Sequence, residues 1–112
     1  MKIDRKIVHG MYDGRCAYCG KEISVKEMQV DHIEPRAFHE RSSVNDVRNL
    51  NPSCRSCNHY KRALPLEDFR NVWLGNLHSR LAKLYTVKVA IDYGIVTLKE
   101  WDRKFYFERI VR

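Results

Sequence analysis

The sequence predicts an α+β fold in which a small core, held together by a four-cysteine zinc site, is followed by a C-terminal helical extension and a terminal strand. This prediction depends on three observations: two CxxC pairs, short strand-like segments between them, and a helical tract after them. The chain has 112 residues, which is about the length of one domain. We therefore expect residues 1–112 to form a single domain, with its core at about 15–70 and the extension at about 66–112.

The cysteines form two pairs, Cys16 with Cys19 and Cys54 with Cys57, and two residues separate the members of each pair. At this spacing a tight turn places both thiolates on one tetrahedral Zn²⁺ ion. A redox dithiol instead uses a single CxxC at the start of a helix in a thioredoxin-like pattern, so two pairs favour zinc over redox chemistry. Four sulfur ligands leave no open position for water, and such a zinc ion is structural.

The first half of the chain contains short elements. We expect them in this order: a helix at Asp4–Met11, strands at Lys21–Val25 and Glu27–Ile33, a long loop at Arg36–Arg48, and a helix at Asn58–Ala63. Loops of this length inside a compact domain usually carry function.

The second half of the chain is mostly helical. From Leu66 to Leu84, apolar residues recur at spacings of three and four, which predicts a helix with one buried stripe. Gly75 and Asn76 are expected to divide this tract into two helices. Val87–Tyr93 fits either a helix or a strand, whereas Lys104–Val111 is rich in strand-forming residues and is expected to fold back as the terminal strand.

The net charge favours polyanionic partners. Lysine and arginine number 21 against 14 acidic residues, which gives a net charge of +7. Between Arg36 and Arg62, six basic residues face two acidic ones, an excess of four, so we expect DNA to lie across this loop and helix. The candidate nucleic-acid contacts are Arg36, Arg55, Lys61 and Arg62. Contacts to phosphate position a nucleic acid without reading its sequence.

The hydropathy pattern argues against a membrane protein. Mean hydropathy is −0.55, and no apolar run approaches the ~18 residues that a transmembrane helix needs. The basic N-terminus is not followed by the apolar stretch of ~7–15 residues that a secretory signal requires. We therefore expect a cytoplasmic protein with no membrane partner.

A second group of chemically active residues lies among the cysteine pairs. Asp31 and Asn58 offer hard oxygen ligands, which suit Mg²⁺ or Mn²⁺. A neutral imidazole, such as that of His32, can accept a proton from water at physiological pH. A divalent cation, a general base and a basic surface together suit hydrolysis of a phosphodiester. Taken alone, an adjacent Asp and His more often face solvent at the end of a strand.

The order of these segments resembles the HNH nuclease family, whose catalytic unit is the ββα-metal motif. In particular, it is similar to small phage and bacterial HNH endonucleases with a CxxC pair on each side of the active site. The match extends over roughly Arg15–Arg70 and depends on the first CxxC, Asp31-His32-Ile33 with Pro35, Asn49-Leu50, and the second CxxC running into Asn58 and Lys61. The resemblance implies a metal-dependent endonuclease that nicks DNA or cuts both strands.

The resemblance also implies a role for each matching residue. His32 matches the general base, and Asp31 matches a ligand of the catalytic Mg²⁺ or Mn²⁺. Asn49 matches the asparagine that braces the loop between the strands and holds the histidine. Asn58 stands where the family's last histidine does and is the expected second metal ligand, so the motif becomes H-N-N. His59 is its rival, because neighbours on a helix point about 100° apart and only one can face the site.

One geometric condition follows from these roles. Adjacent strand residues point to opposite faces, so the strand must end or twist sharply at Asp31 and His32 if both are to serve one site.

Two other functions fit part of the sequence. One is a non-catalytic zinc-ribbon adaptor that binds nucleic acid, and the other is a redox dithiol protein. An adaptor needs none of the four catalytic candidates, so their joint presence favours the nuclease. We expect DNA as the main partner, with phage or host nucleic-acid-processing proteins as further partners, and the chain as a monomer or a dimer.

Overall fold

The computed structural model describes residues 3–35 and 46–110. Arg36 and most of the predicted loop therefore lie outside the described residues. The chain divides into two compact units: Met1–Leu66 together with Lys104–Arg112, and Glu67–Arg103. The single domain expected for residues 1–112 stays a prediction.

The architecture combines helices with one small sheet, which confirms the predicted α+β class. In chain order the elements are helix α1 (Arg5–Gly10), strand β1 (Gln29–His32), a 3-10 turn (Val47–Asn49), strand β2 (Leu50–Ser53), helices α2 (Arg55–Lys61) and α3 (Leu66–Asp68), a π-helical segment (Phe69–Leu74), and helices α4 (Leu77–Lys83), α5 (Tyr85–Asp92) and α6 (Tyr106–Arg109). Among the described residues, none of these helices is both long enough and apolar enough to cross a membrane.

The sheet is an antiparallel pair of strands, in which Gln29 lies opposite Ser53 and His32 lies opposite Leu50. β1 falls inside the predicted strand Glu27–Ile33. The predicted strand at Lys21–Val25 is wrong, because within the described residues this segment forms only an isolated bridge, between Arg15 and Glu22.

The place of that strand is taken by β2, whose four residues are all buried. Its sequence, Leu-Asn-Pro-Ser, alternates apolar and polar residues, but the polar residues are buried as well, and asparagine and proline are depleted in strands. It also contains Pro52, whose carbonyl accepts a hydrogen bond from the Ala17 N–H at 2.8 Å. Packing from both sides therefore defines this strand.

A small apolar core holds α1 against the sheet. Val8, Met28 and Leu50 are its buried members, and partly buried side chains of Ile3, Met11, Ile23 and Val30 pack against them. α1 begins after Asp4, whose carboxylate accepts hydrogen bonds from the first-turn N–H groups of Lys6 and Ile7. Capping of this kind satisfies amides that the helix itself leaves unpaired.

The predicted terminal strand at Lys104–Val111 is wrong, because Tyr106–Arg109 forms helix α6. The Glu108 carboxylate accepts the Phe105 N–H at 2.9 Å and so fixes the start of this helix. The aromatic residues that suggested a strand instead pack on the first cysteine pair: the Phe105 ring meets the Tyr18 ring edge-on, with centroids 5.2 Å apart.

The second unit is helical, as predicted for Leu66–Leu84, and the break expected at Gly75 and Asn76 lies between the π-helical segment and α4. The ambiguous segment Val87–Tyr93 is helical. The predicted buried stripe is only partly present, since Phe69 is buried but Val72 and Leu84 are more than half exposed. Val72 lies in the π-helical segment, whose wider turns shift side chains out of the 3.6-residue period, and Leu84 lies beyond the last turn of α4.

Candidate active site and metal centre

The four cysteine sulfurs lie together. All four Sγ atoms are within 4.8 Å of one another, and those of Cys19 and Cys54 are 3.9 Å apart. Tetrahedral zinc with Zn–S bonds of ~2.3 Å separates its sulfurs by ~3.8 Å. This four-cysteine cluster (Cys16, Cys19, Cys54, Cys57) therefore has the donor set and spacing of a structural metal site.

Two different local structures supply these sulfurs. The first pair lies on a turn closed by the Gly20 N–H, which donates to the Cys16 carbonyl at 2.9 Å. Gly20 has φ +83, and a Cβ there would come within 2.9 Å of the Tyr106 ring, so glycine is required. The second pair opens α2: Cys54 is its N-cap, and its sulfur accepts the Cys57 N–H at 3.3 Å.

Proximity and burial perturb these thiols. A hydrogen bond from Cys57 lowers the pKa of Cys16, and desolvation raises the pKa of Cys19. Four neighbouring thiolates repel one another, so a divalent cation among them would relieve that repulsion. The chemistry of the donor set, which is entirely thiolate, suits zinc.

The predicted metal ligand Asp31 belongs to a buried polar cluster (Tyr18, Asp31, Lys61). The Asp31 side chain is 4% exposed, and its Oδ2 atom is 3.2 Å from the Lys61 Nζ. The Tyr18 hydroxyl donates to the same oxygen at 2.5 Å. The Lys61 ammonium also donates to the His32 carbonyl at 2.9 Å, which connects α2 to the end of β1.

Burial is the largest influence on both acids of this cluster. It raises the pKa of Asp31, while the charge of Lys61 and the hydrogen bond from Tyr18 act in the opposite direction. Burial also raises the pKa of Tyr18, and the negative charge of Asp31 raises it further. The ionised form of Asp31 thus depends on its two partners.

The predicted contact between Lys61 and phosphate is wrong for this structure. Its side chain is wholly buried, and its hydrogen bonds remain inside the protein. Arg55 and Arg62 are exposed, at the first residue and at the C-cap of α2. With His59, which is also exposed, they are spaced at i, i+4 and i+7 and so share one face of the helix.

Asn49 braces the chain just after His32. Its amide nitrogen donates to the Glu34 carbonyl at 3.1 Å, and its amide oxygen accepts the Glu34 N–H at 3.0 Å. The Asn49 carbonyl also accepts the Ile33 N–H at 2.9 Å. β1 pairs with β2 through both Asp31 and His32, and the chain bends only after them, at Ile33 and Glu34.

The rival metal ligands of α2, Asn58 and His59, differ in burial. Asn58 is half-buried and precedes Lys61 by three residues, so both lie on the same helix face. His59 is exposed. Asn58 thus lies on the side of α2 that carries the buried Lys61, whereas His59 is on the exposed side.

A further polar residue lies on the sheet beside Asp31. Asn51 is directly opposite Asp31 in the strand pair, and its side chain is 1% exposed. Within the described residues, neither polar atom of its amide has a hydrogen-bond partner of standard geometry, although interaction with the Asn51 amide lowers the pKa of Tyr18, against the larger effect of burial. The carboxylate of Asp31 and these amides of Asn51 and Asn58 are hard oxygen donors, which fit Mg²⁺ or Mn²⁺.

Sequence reasoning did not identify Tyr18 or Asn51 as site residues, and it placed Lys61 on the surface. The spacing of three residues between Asn58 and Lys61 was an available signal for a shared helix face. Tyr18 had no such signal, because its contact with Asp31 spans 13 residues of sequence.

Comparisons with known proteins agree with this geometry. Residues 16–63 match the family model of the HNH endonuclease. Over 62 residues, 55% of the chain, the sequence is 37% identical to a CRISPR-associated endonuclease Cas9 of Corynebacterium diphtheriae, of which the match covers 5%. Over 105 residues, 88% of the chain, it is 26% identical to YoqL of Bacillus subtilis, a protein named as an HNH endonuclease derived from the SPbeta prophage, of which the match covers 39%.

A solved structure has a similar fold. The Type II-C Cas9 enzyme of Actinomyces naeslundii aligns with a TM-score of 0.53 and 20% identity, over 86% of this chain and 13% of that chain. At this identity the likeness concerns the fold alone. The chain thus spans a small part of the Cas9 proteins and under half of YoqL. Residues 16–63, which contain the paired cysteines, the hairpin and helix α2, are thus the part of the chain that matches the HNH endonuclease family.

Proposed function

We propose that the chain is a metal-dependent endonuclease that hydrolyses DNA phosphodiester bonds, with His32 as the general base. The observation that carries this proposal is the convergence of three groups of side chains at one strand end: Asp31 and His32 close β1, Lys61 of α2 binds both residues, and Asn49 fixes the bend that follows. An arrangement that only bound nucleic acid would need no such fixing of the backbone on both sides of Ile33.

Each residue has a defined task in the proposed reaction. His32 accepts a proton from water, and the water oxygen forms a bond to phosphorus as the bond from phosphorus to the leaving 3′ oxygen breaks. Asp31 and Asn58 hold Mg²⁺ or Mn²⁺. The cation supplies stabilisation of the negative charge that develops on the phosphate. Asn49 keeps the imidazole in place through its two hydrogen bonds to the Glu34 backbone.

The metal centre and the basic helix face have supporting roles. We assign Zn²⁺ to the four-cysteine cluster, where it joins the first turn to α2 and so fixes the helix that carries Asn58 and Lys61. The exposed face of α2 with Arg55 and Arg62 suits contact with the phosphate backbone. Two of the relatives are named as endonucleases, which supports the same reaction class.

A plasmid-nicking assay tests the proposal. His32→Ala should lower the cleavage rate by ~10²–10⁴-fold, because that is the usual contribution of a general base. His78→Ala, in α4 of the second unit, is the matched control and should cut at the parent rate. Asn58→Ala should raise the Mg²⁺ concentration needed for cleavage, whereas His59→Ala should not. All three His variants should keep the zinc content and unfolding temperature of the parent.

Two results would contradict the proposal. If His32→Ala cuts as fast as the parent, His32 is not the base. If the parent binds DNA but does not cut it at any concentration of Mg²⁺ or Mn²⁺, the chain is instead a zinc-ribbon adaptor.

A further inference from the structure

Tyr18 connects the four-cysteine cluster directly to Asp31. Its backbone lies between Cys16 and Cys19, and its side chain, 5% exposed, extends to the sheet. There its hydroxyl donates to Asp31 Oδ2 at 2.5 Å. No role for this tyrosine follows from the four-cysteine cluster itself, since a turn between metal ligands needs only to be short.

The tyrosine ring is fixed on several sides. Phe105 and Phe107 pack edge-on against it, with centroids 5.2 and 6.0 Å away. Its carbonyl accepts the Tyr106 N–H at 3.1 Å, so α6 also holds the backbone of this residue. A hydroxyl on so constrained a ring has one position, which makes it suited to orienting another group.

The two oxygens of Asp31 are held unequally. Oδ2 receives the Tyr18 hydroxyl at 2.5 Å and the Lys61 ammonium at 3.2 Å. Oδ1 is 3.5 Å from the same ammonium, at the limit of a hydrogen bond. The partners therefore fix the carboxylate through Oδ2. Asn51, whose amide has no hydrogen-bond partner of standard geometry among the described residues, lies opposite Asp31 across the strand pair.

We propose that Tyr18 is a positioning residue of the nuclease: its hydroxyl holds Asp31 by Oδ2, so that Oδ1 is the oxygen that binds the divalent cation. This inference rests on the proposed function, in which Asp31 is a metal ligand. It also gives the four-cysteine cluster a second task, because the turn that binds the structural metal sets the orientation of the catalytic ligand.

Tyr18→Phe removes the hydroxyl and keeps the ring that packs on Phe105 and Phe107. The loss of a partner that orients a metal ligand typically weakens metal binding by about 10–100-fold. We therefore expect Mn²⁺ to bind about 10–100-fold more weakly to the zinc-loaded variant, when free Mn²⁺ is measured by electron paramagnetic resonance. The Mg²⁺ concentration for half-maximal nicking should shift equally, while the rate at saturating Mg²⁺ stays within a few-fold of the parent.

Tyr12→Phe is the matched control, because Tyr12 also contacts Phe107, at 6.3 Å, and should leave Mn²⁺ binding unchanged. In an Asp31→Asn background, Tyr18→Phe should have no further effect on Mn²⁺ binding, since the tyrosine acts through that carboxylate. 4-Aminophenylalanine at position 18, which restores a hydrogen-bond donor, should restore Mn²⁺ binding.

Zinc content and thermal unfolding are compared first. If Tyr18→Phe has lost zinc, 4-fluorophenylalanine, which fills the hydroxyl's space without donating, replaces it in the comparison with 4-aminophenylalanine. If the parent and the variants that lack a hydrogen-bond donor at position 18 bind Mn²⁺ equally, Tyr18 has no positioning role. The proposed function would remain intact. A parent that binds no Mn²⁺ would overturn the proposed function itself.

Discussion

Replacing Lys61 with methionine measures what the buried ion pair contributes to stability. The substitution keeps most of the side-chain volume but removes the ammonium that lies 3.2 Å from Asp31 Oδ2. It also removes the donor 2.9 Å from the His32 carbonyl. Breaking a buried ion pair by removing one partner typically costs ~3–5 kcal/mol, because the other charge stays buried without compensation.

The fold can limit this destabilisation by protonating Asp31. Removal of the Lys61 charge raises the pKa of Asp31 further above its ordinary 3.8. An acid with the ordinary pKa of 3.8 costs about 4 kcal/mol to protonate at pH 7 and about 2 kcal/mol at pH 5. A group whose folded pKa is raised contributes stability below its unfolded pKa and loses it as pH rises, so the deficit of the variant must grow with pH.

Urea and thermal unfolding at pH 7 and pH 5 provide the measurement. At pH 7 we expect a destabilisation of about 4 kcal/mol and a melting temperature lower by roughly 10–25 °C. At pH 5 the destabilisation should fall to about 2 kcal/mol. Lys88→Met, at an exposed position of α5, is the control and should change stability by less than about 0.5 kcal/mol. A Lys61→Met protein as stable as this control, or equally destabilised at both pH values, would refute the reasoning.

Three further outcomes are expected. A strong chelator should remove about one zinc ion per chain and abolish the helicity of the first unit, because zinc binding in small domains is worth ~10–16 kcal/mol; helicity that survives verified zinc removal, by circular dichroism, would contradict this. Replacing Arg55 and Arg62 with glutamine should make the plot of log affinity for duplex DNA against log salt concentration shallower. The slope should change by roughly 0.9 for each phosphate that is no longer neutralised. An unchanged slope would show that neither arginine binds phosphate. Asn51→Leu should raise the free energy of unfolding by about 1–3 kcal/mol in urea, because it removes a buried amide without a hydrogen-bond partner of standard geometry among the described residues; a decrease would show that the amide is satisfied in solution.

Local patterns predicted the elements whose residues carry their own signal. The helix containing Asn58 and the break at Gly75 and Asn76 follow from propensity and spacing, and the structure contains both. β2 could not be predicted in this way, since Asn51 and Pro52 disfavour strands and only pairing with β1 makes this segment extended. The aromatic residues of Lys104–Val111 wrongly predicted a strand, because the ring on which Phe105 packs, that of Tyr18, is distant in sequence.

The candidate site shows a similar division. A motif can indicate that Asp31 and His32 serve chemistry, but it cannot indicate which groups surround them. Lys61 belongs to a run of basic residues that looks like a surface in sequence, and only the packing of α2 on β1 turns it inward. Burial of a charged side chain depends on a partner 30 residues away, and local sequence does not record that distance.

Pro52 has a consequence for association between copies of the chain. The Pro52 carbonyl accepts a hydrogen bond from the N–H of Ala17, which lies outside β1. The main-chain polar groups of Pro52 therefore face away from β1, and the proline removes no hydrogen bond between the two strands. A proline offers no N–H to an approaching strand, and its carbonyl is already engaged. The β2 edge of the sheet is therefore a poor template for a third strand, and a strand of another copy would find no free donor or acceptor at Pro52.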